Sequence, residues 1–121
     1  MITSLHHAQF RVPAEKEKEA IHFYEEILGL ERIPKAKKLQ KNGGAWFKVN
    51  ENQQVHISLE EIDNNNSKRH LCFQVDDLEK AKLRLESYGV KIILDKQPVE
   101  KWIRFYFRDP GGNRLEIAQK K

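Results

Sequence analysis

Two stretches of this chain repeat one another. His7-Ala8-Gln9-Phe10-Arg11-Val12 and His70-Leu71-Cys72-Phe73-Gln74-Val75 share His, Phe and Val at an offset of 63 positions. Further on the offset becomes 60: Gly29 falls on Gly89, Val55 on Leu115, His56 on Glu116 and Ile57 on Ile117. Three extra residues near Pro13-Ala14-Glu15 account for the change. Self-similarity of this kind constrains the fold more than any local propensity, because each copy has to build the same supersecondary unit. Two copies are too few for a solenoid, so the chain reads as one domain over residues 1–121 that holds a duplicated module, at 1–62 and 67–121.

Each copy has the same layout. Residues 7–12 alternate, with Ala8, Phe10 and Val12 on one face, as in a half-buried strand. A helix follows: Pro13 supplies the entry, acids crowd the first turn, Ala20, Phe23 or Tyr24, Ile27 and Leu28 recur at helical spacing, and Gly29 ends it. In the second copy Asp76 is the expected cap, with Glu79 three residues on as in a capping box. That helix is expected to bury Leu78, Ala81, Leu85 and Tyr88 and to end at Gly89. Three more strands then follow in each copy, at 30–34, 45–50 and 54–60, and at 90–94, 102–108 and 114–119. Pro34, Gly43-Gly44, Pro98 and Asp109-Pro110-Gly111-Gly112-Asn113 break them. The polar tract Asp63-Asn64-Asn65-Asn66-Ser67 joins the copies. The expected class is α+β: two βαβββ modules, each mixed sheet curled into a cup with one helix on its convex face.

Composition narrows the surroundings. With 39% hydrophobic and 33% charged residues the chain is expected to fold in water. No apolar run approaches the roughly 20 residues of a membrane span, and Met-Ile-Thr-Ser-Leu-His-His lacks a signal-peptide shape. Cys72 is the single cysteine, which excludes an internal disulfide and suits a reducing cytoplasm. The net charge of +4 is mild. Lys35, Lys37, Lys38 and Lys41 gather without interleaved aromatics, so they read as a solvated loop and no nucleic-acid partner is expected.

Strand parity decides where polar side chains point. With 8, 10 and 12 packed on the helix, His7, Gln9 and Arg11 face the other way; Val55, Ile57 and Leu59 likewise send His56, Ser58 and Glu60 to that opposite face. In the second copy His70, Cys72 and Gln74 share that face with Glu116. His7 is thus repeat-equivalent to His70, and His56 to Glu116. Three imidazoles and a carboxylate suit a divalent transition metal, such as zinc, nickel, cobalt or iron, over magnesium. Taken singly, each histidine reads equally as a polar residue on a sheet, and on spacing alone that alternative stays open. His6 has the wrong parity, and His22 lies on the first helix.

The segments LHHAQFRV, HFYEEILGL, RHLCFQVDDLEKAKLRL and FYFRDPGGNRLEI together resemble the vicinal oxygen chelate superfamily, which includes glyoxalase I, fosfomycin-modifying thiol transferases, extradiol dioxygenases and bleomycin-resistance proteins. The resemblance spans essentially the whole chain. It implies a glyoxalase-like fold and a metal held by His7, His70 and Glu116. His56 fills the fourth position, where glyoxalase I has a second glutamate. It further implies a protein that often forms a homodimer, with a cup completed by modules from two chains; a cup built within one chain fits the sequence equally.

The chemistry that the resemblance implies is binding of a small-molecule substrate through two adjacent oxygens to Zn, Ni, Fe, Mn or Co. The metal stabilises developing negative charge. Glu116 is the first candidate base by family analogy, and Glu60, which shares parity with His56, the second. Gln9, Trp46, Ser58, Cys72, Arg104 and Tyr106 are the candidates for touching substrate. Arg104 serves either as a fork for a substrate anion or as a cross-strand salt bridge. The leading expectation is a glyoxalase-like lyase or isomerase, ahead of an extradiol-type dioxygenase or a thiol transferase. A metal-free binding protein of the bleomycin-resistance kind is the rival from another class, and such proteins usually lack the ligand histidines.

Overall fold

The computed structural model describes residues 1–62 and 66–121. Contacts divide the chain into two compact units, Met1–Asn65 and Asn66–Lys121. In the first, strands β1 (His7–Val12), β2 (Glu31–Ile33), β3 (Ala45–Asn50) and β4 (Gln53–Leu59) form one sheet in the order β1-β4-β3-β2. β1 runs parallel to β4, and the other pairs are antiparallel. The second unit repeats this with β5 (His70–Gln74), β6 (Ile93–Leu94), β7 (Trp102–Arg108) and β8 (Arg114–Lys120), ordered β5-β8-β7-β6, with β5 parallel to β8. Two mixed four-stranded sheets with few helices are the expected α+β class, two βαβββ modules.

The alternation read from the sequence sets the layers. Val12, Phe47, Val55 and Ile57 are buried with Ala20, Phe23 and Tyr24 from the helical segment. The Tyr24 ring sits 6.1 Å from Phe10 and 5.7 Å from Phe47. In the second unit Phe105, Phe107, Leu115 and Ile117 are buried along with Leu85 of helix α2 (Leu78–Ser87). Each such side chain contributes about 1.5–3 kcal/mol by leaving water. The intervening residues of β1 and β5 (His7, Gln9 and Arg11; His70, Cys72 and Gln74) are exposed.

The first helix departs from expectation. A short 3-10 turn, Ala14–Lys16, leads into α1 (Glu17–His22), and Phe23–Ile27 then wind as a π-type turn closed by Leu28 N–H donating to the Phe23 carbonyl at 2.9 Å. A regular 3.6-residue turn brings one of the neighbours Phe23 and Tyr24 squarely onto the core; the wider turn buries both, with Ile27. The second helix is capped by Asp77, not Asp76: its side chain accepts from Lys80 N at 3.0 Å, so Glu79 is not the capping-box partner. The preceding register is set from afar, since Leu78 N donates to Gln119 Oε1 at 2.7 Å. Of the residues expected to be buried on this helix only Leu85 is; Leu78 and Ala81 are half-buried and Tyr88 is 47% exposed. Tyr88 ends the helix where Val90 N returns to the Leu85 carbonyl (3.0 Å) and Gly89 N to that of Glu86 (2.9 Å), which turns its ring outward beneath Arg84.

Strand ends shift modestly. The second strand of each copy is shorter than 30–34 and 90–94 suggested, and Lys37–Asn42 form a 3-10 segment before Gly43. Of the joining tract, Asp63, Asn64 and Asn65 lie outside the described residues. Among the described residues no helix is long and apolar enough to cross a membrane.

Candidate functional site

In the first unit the parallel pairing of β1 and β4 sets Gln9 beside His56, and the antiparallel pairing of β3 and β4 sets Trp46 on its other side. The His56 ring is sandwiched between His7, 4.0 Å away and 13° from parallel, and the Trp46 indole, 4.2 Å away and 6° from parallel. Burial, reinforced by the nearby charges of His7, His6 and Lys35, lowers the His56 pKa to about 4. The ring is therefore neutral at physiological pH and keeps a lone pair to donate. Its Nε2 lies 2.8 Å from the Gln54 amide oxygen, so an N–H at Nε2 leaves Nδ1 as the lone-pair nitrogen. His6, set aside on parity, ends just before the strand begins and brings its Nδ1 to 2.9 Å from Nδ1 of His7. Strand parity does not govern a residue outside the ladder, which is why the sequence pattern misses it.

The second unit places His70 and Glu116 together. Cys72 pairs with Glu116 in register, and His70 Nε2 lies 2.8 Å from Glu116 Oε2. Both nitrogens of His70 face acceptors, because Nδ1 lies 2.9 Å from the Lys68 carbonyl. The Lys68 carbonyl and the Glu116 carboxylate thus hold the ring from its two sides and fix its orientation. Glu116 is buried, and its other oxygen, Oε1, accepts from Arg104 at 3.4 Å.

The remaining expected residues divide. Arg104 takes the salt-bridge role: Nε donates to Asp95 Oδ2 at 2.8 Å, and a terminal nitrogen donates to the Gln97 carbonyl at 3.0 Å. Asp95, nine residues upstream, is the partner that sequence spacing does not reveal. Cys72, Arg104 and Glu116 line a pocket of about 290 Å³ with Gln74, Val99 and Trp102. Cys72 is exposed as a residue, yet the burial of its thiol and the adjoining Glu116 push its pKa up to about 11. Tyr106 is buried, edge-on to His70 at 5.5 Å and covered by the Arg114 guanidinium at 4.2 Å; burial raises its pKa, Glu116 adding to the effect. Gln9, Trp46 and Ser58 line a hollow of the first unit. Glu60 forms an exposed ion pair with Arg11 at 3.5 Å. The four expected metal ligands thus come as two pairs, His7 with His56 and His70 with Glu116. Among the described residues no set of three or more His, Cys, Asp and Glu is gathered to hold an ion.

Duplicated βαβββ units that turn histidine-bearing sheet faces away from their helices define a paired-module α+β protein. The family model of the Glyoxalase/Bleomycin resistance protein/Dioxygenase superfamily matches residues 4–117, and the chain belongs to that superfamily. Among solved structures it is similar to a glyoxalase family protein from Bacillus anthracis, with 39% identity and a TM-score of 0.89 over 100% of this chain and 98% of that one. It shares its fold with the fosfomycin resistance protein FosX from Listeria monocytogenes, complexed with Mn(II) and sulfate ion, at 18% identity and a TM-score of 0.80, covering 100% and 93% of the two chains. A lactoylglutathione lyase from Agrobacterium tumefaciens has the same fold at 22% identity and a TM-score of 0.72, covering 98% and 94%.

Proposed function

We propose that this chain is a metal-dependent enzyme of the lyase or isomerase type, with His7, His56, His70 and Glu116 as ligands of one divalent transition ion (Zn, Ni, Fe, Mn or Co). The observation that carries the reading is the pairing of His70 with Glu116: Nε2 lies 2.8 Å from Oε2, while the Lys68 carbonyl holds the ring from Nδ1 at 2.9 Å. A second-sphere carbonyl of this kind is a common way to fix a metal-binding imidazole. Neutral His56 supplies the same donor chemistry in the other unit. Three imidazoles and one carboxylate fit borderline cations. That FosX has been crystallised with Mn(II) is consistent with the same use of the fold. The enzyme is taken to be a homodimer, in which His7 and His56 of one protomer complete a centre with the partner's His70 and Glu116.

The chemistry such an ion supplies is Lewis-acid stabilisation of negative charge on two adjacent substrate oxygens. The protein's own groups do the rest. Glu116 takes the proton from the substrate carbon, while Arg104 holds its second oxygen and Asp95 holds Arg104. Cys72 stays a thiol at neutral pH and packs against substrate instead of attacking it. Trp46 walls the far side of His56. Glu60, engaged with Arg11, is the secondary candidate for proton transfer.

Elemental analysis of purified protein tests this directly, wild type beside His56→Ala and Glu116→Ala. About one transition ion per chain is expected, with occupancy lost in both variants, because each removes a ligand. A metal-free wild type that refuses Zn, Ni, Co, Mn and ferrous iron would leave only a small-molecule binding role.

A further inference from the structure

The two copies differ most where their sheets are otherwise equivalent. At the repeat offset of 60, Gly44 stands where the second copy has Arg104, and Lys35 where it has Asp95. In the second unit those two side chains bond each other, and Arg104 reaches on to Glu116, beside a pocket of about 290 Å³. In the first unit neither can. Gly44 has φ +80° and lies so close to β4 that a Cβ there would stand 2.1 Å from the Ile57 carbonyl oxygen. The space is left as a hollow of about 550 Å³ on the His56 side of the sheet, lined by Gln9, Lys35, Asn42, Trp46 and Ser58 among others.

The lining has a definite chemical character. The half-buried Lys35 ammonium donates to the Gly43 carbonyl, which leaves two of its three protons for another acceptor. The Ser58 hydroxyl and the Gln9 and Asn42 amides add neutral donors, and Trp46 adds an apolar wall. The segment Pro34–Asn42 above it carries Lys35, Lys37, Lys38 and Lys41 and no acid, so a negative charge is drawn toward the opening. Glu17, the acid that does reach this turn, gives its Oε2 to Gly44 N–H at 2.6 Å.

We propose that this hollow is an oxyanion site in which Lys35, assisted by Ser58, Gln9 and Asn42, binds the carboxylate or phosphate of an anionic small-molecule substrate. The reacting end of that substrate is assigned by the metal-dependent reading above, on which this part rests; the anion-binding end stands on the hollow. Trp46 joins the two, since it lines the hollow and stacks on His56. Lys35 is accordingly a specificity-determining residue.

The test uses the Trp102→Phe protein, in which Trp46 is the sole indole, stripped of metal with chelator and titrated separately with inorganic phosphate and malonate at constant ionic strength. Saturable change in Trp46 fluorescence is expected with at least one anion, and which one responds identifies the group recognised. Lys35→Met should raise the midpoint about tenfold or more, Lys35→Arg should restore it, and Lys38→Met should leave it within about twofold. Circular dichroism checks that each variant is folded. No saturation by either anion overturns the assignment, as does equal weakening by Lys35→Met and Lys38→Met, which would mean diffuse attraction to the loop. Because the titration is metal-free, anion binding without metal uptake sinks only the metal reading, and metal uptake without anion binding sinks only this one.

Discussion

The imidazoles of His7 and His56 lie face to face, 4.0 Å apart and 13° from parallel, with the Trp46 indole closing the far side of His56. Protonating His56 would place a charge where the ring is cut off from water, with His7 beside it adding to the cost, so the fold favours its neutral form. Its pKa of about 4 lies below the ordinary 6.5. Between these values the unfolded chain binds a proton that the folded one refuses. The stability His56 contributes is therefore full above pH 6.5, declines as pH falls toward 4, and is gone below it. The loss for metal-free protein amounts to about 3 kcal/mol over that window. Denaturant midpoints measured from pH 7 to 4 should fall accordingly, and His56→Gln should flatten this limb.

Gly44→Ala and Gly89→Ala differ only in what a methyl group would meet. Both glycines have φ +80°, but at Gly44 the new carbon strikes the Ile57 carbonyl, whereas at Gly89 nothing lies within 4 Å. Gly89→Ala should cost about 1 kcal/mol for the backbone conformation alone. Gly44→Ala should cost more than 2 kcal/mol, since β4 has to shift as well. Equal unfolding free energies for the two variants would contradict the close approach.

The turn between β7 and β8 is organised by one buried carboxylate. Asp109 Oδ1 accepts from Gly111 N and Asn113 N, each at 2.9 Å, and Oδ2 accepts from Asn113 Nδ2 at 2.9 Å. Asp109→Ala leaves these donors with too few acceptors and should destabilise the protein by about 2–4 kcal/mol. Asp109→Asn retains one carbonyl oxygen and should lose less. Chemical denaturation of the three proteins gives the order.

Cys72 should be sluggish toward alkylating reagents. With the thiol pKa raised from 9 to about 11, its thiolate fraction near pH 8 is about 100-fold below that of an ordinary cysteine. Iodoacetamide labelling followed by mass spectrometry should show a rate that climbs with pH up to about 11. Glu116→Gln removes the negative charge beside the thiol and should accelerate labelling at pH 8.

The modules and their facing residues were legible because strand periodicity and the internal repeat state the same thing twice: Val55, Ile57, Leu115 and Ile117 are buried as parity requires. What escaped depends on contacts between residues far apart in the chain. Asp76 and Asp77 are equivalent as caps until Gln119 fixes the first turn of α2. Phe23 and Tyr24 compete for one helical position until a wider turn admits both. Arg104 could bind a substrate anion or a neighbouring acid until Asp95 is seen beside it. Lys35 looked solvated because nothing local says that Gly43 offers it a carbonyl over a hollow. That His7 and His56, and His70 and Glu116, share one face of their sheets followed from parity. The stacking of His7 on His56 and the contact of His70 with Glu116 did not, since register sets Gln9 opposite His56 and Cys72 opposite Glu116, and the hold of the Lys68 carbonyl on His70 leaves no trace in residue identity.

The contrast between Gly44 with Lys35 and Arg104 with Asp95 has an evolutionary consequence. After a duplication, one half has tied its arginine into an internal ion pair beside a smaller pocket, and the other has kept a larger hollow and positive charge. That division of labour lets changes in the Pro34–Gly44 segment retune what is recognised while Glu116 and its supports go on undisturbed. Relatives that handle different molecules are expected to diverge there first.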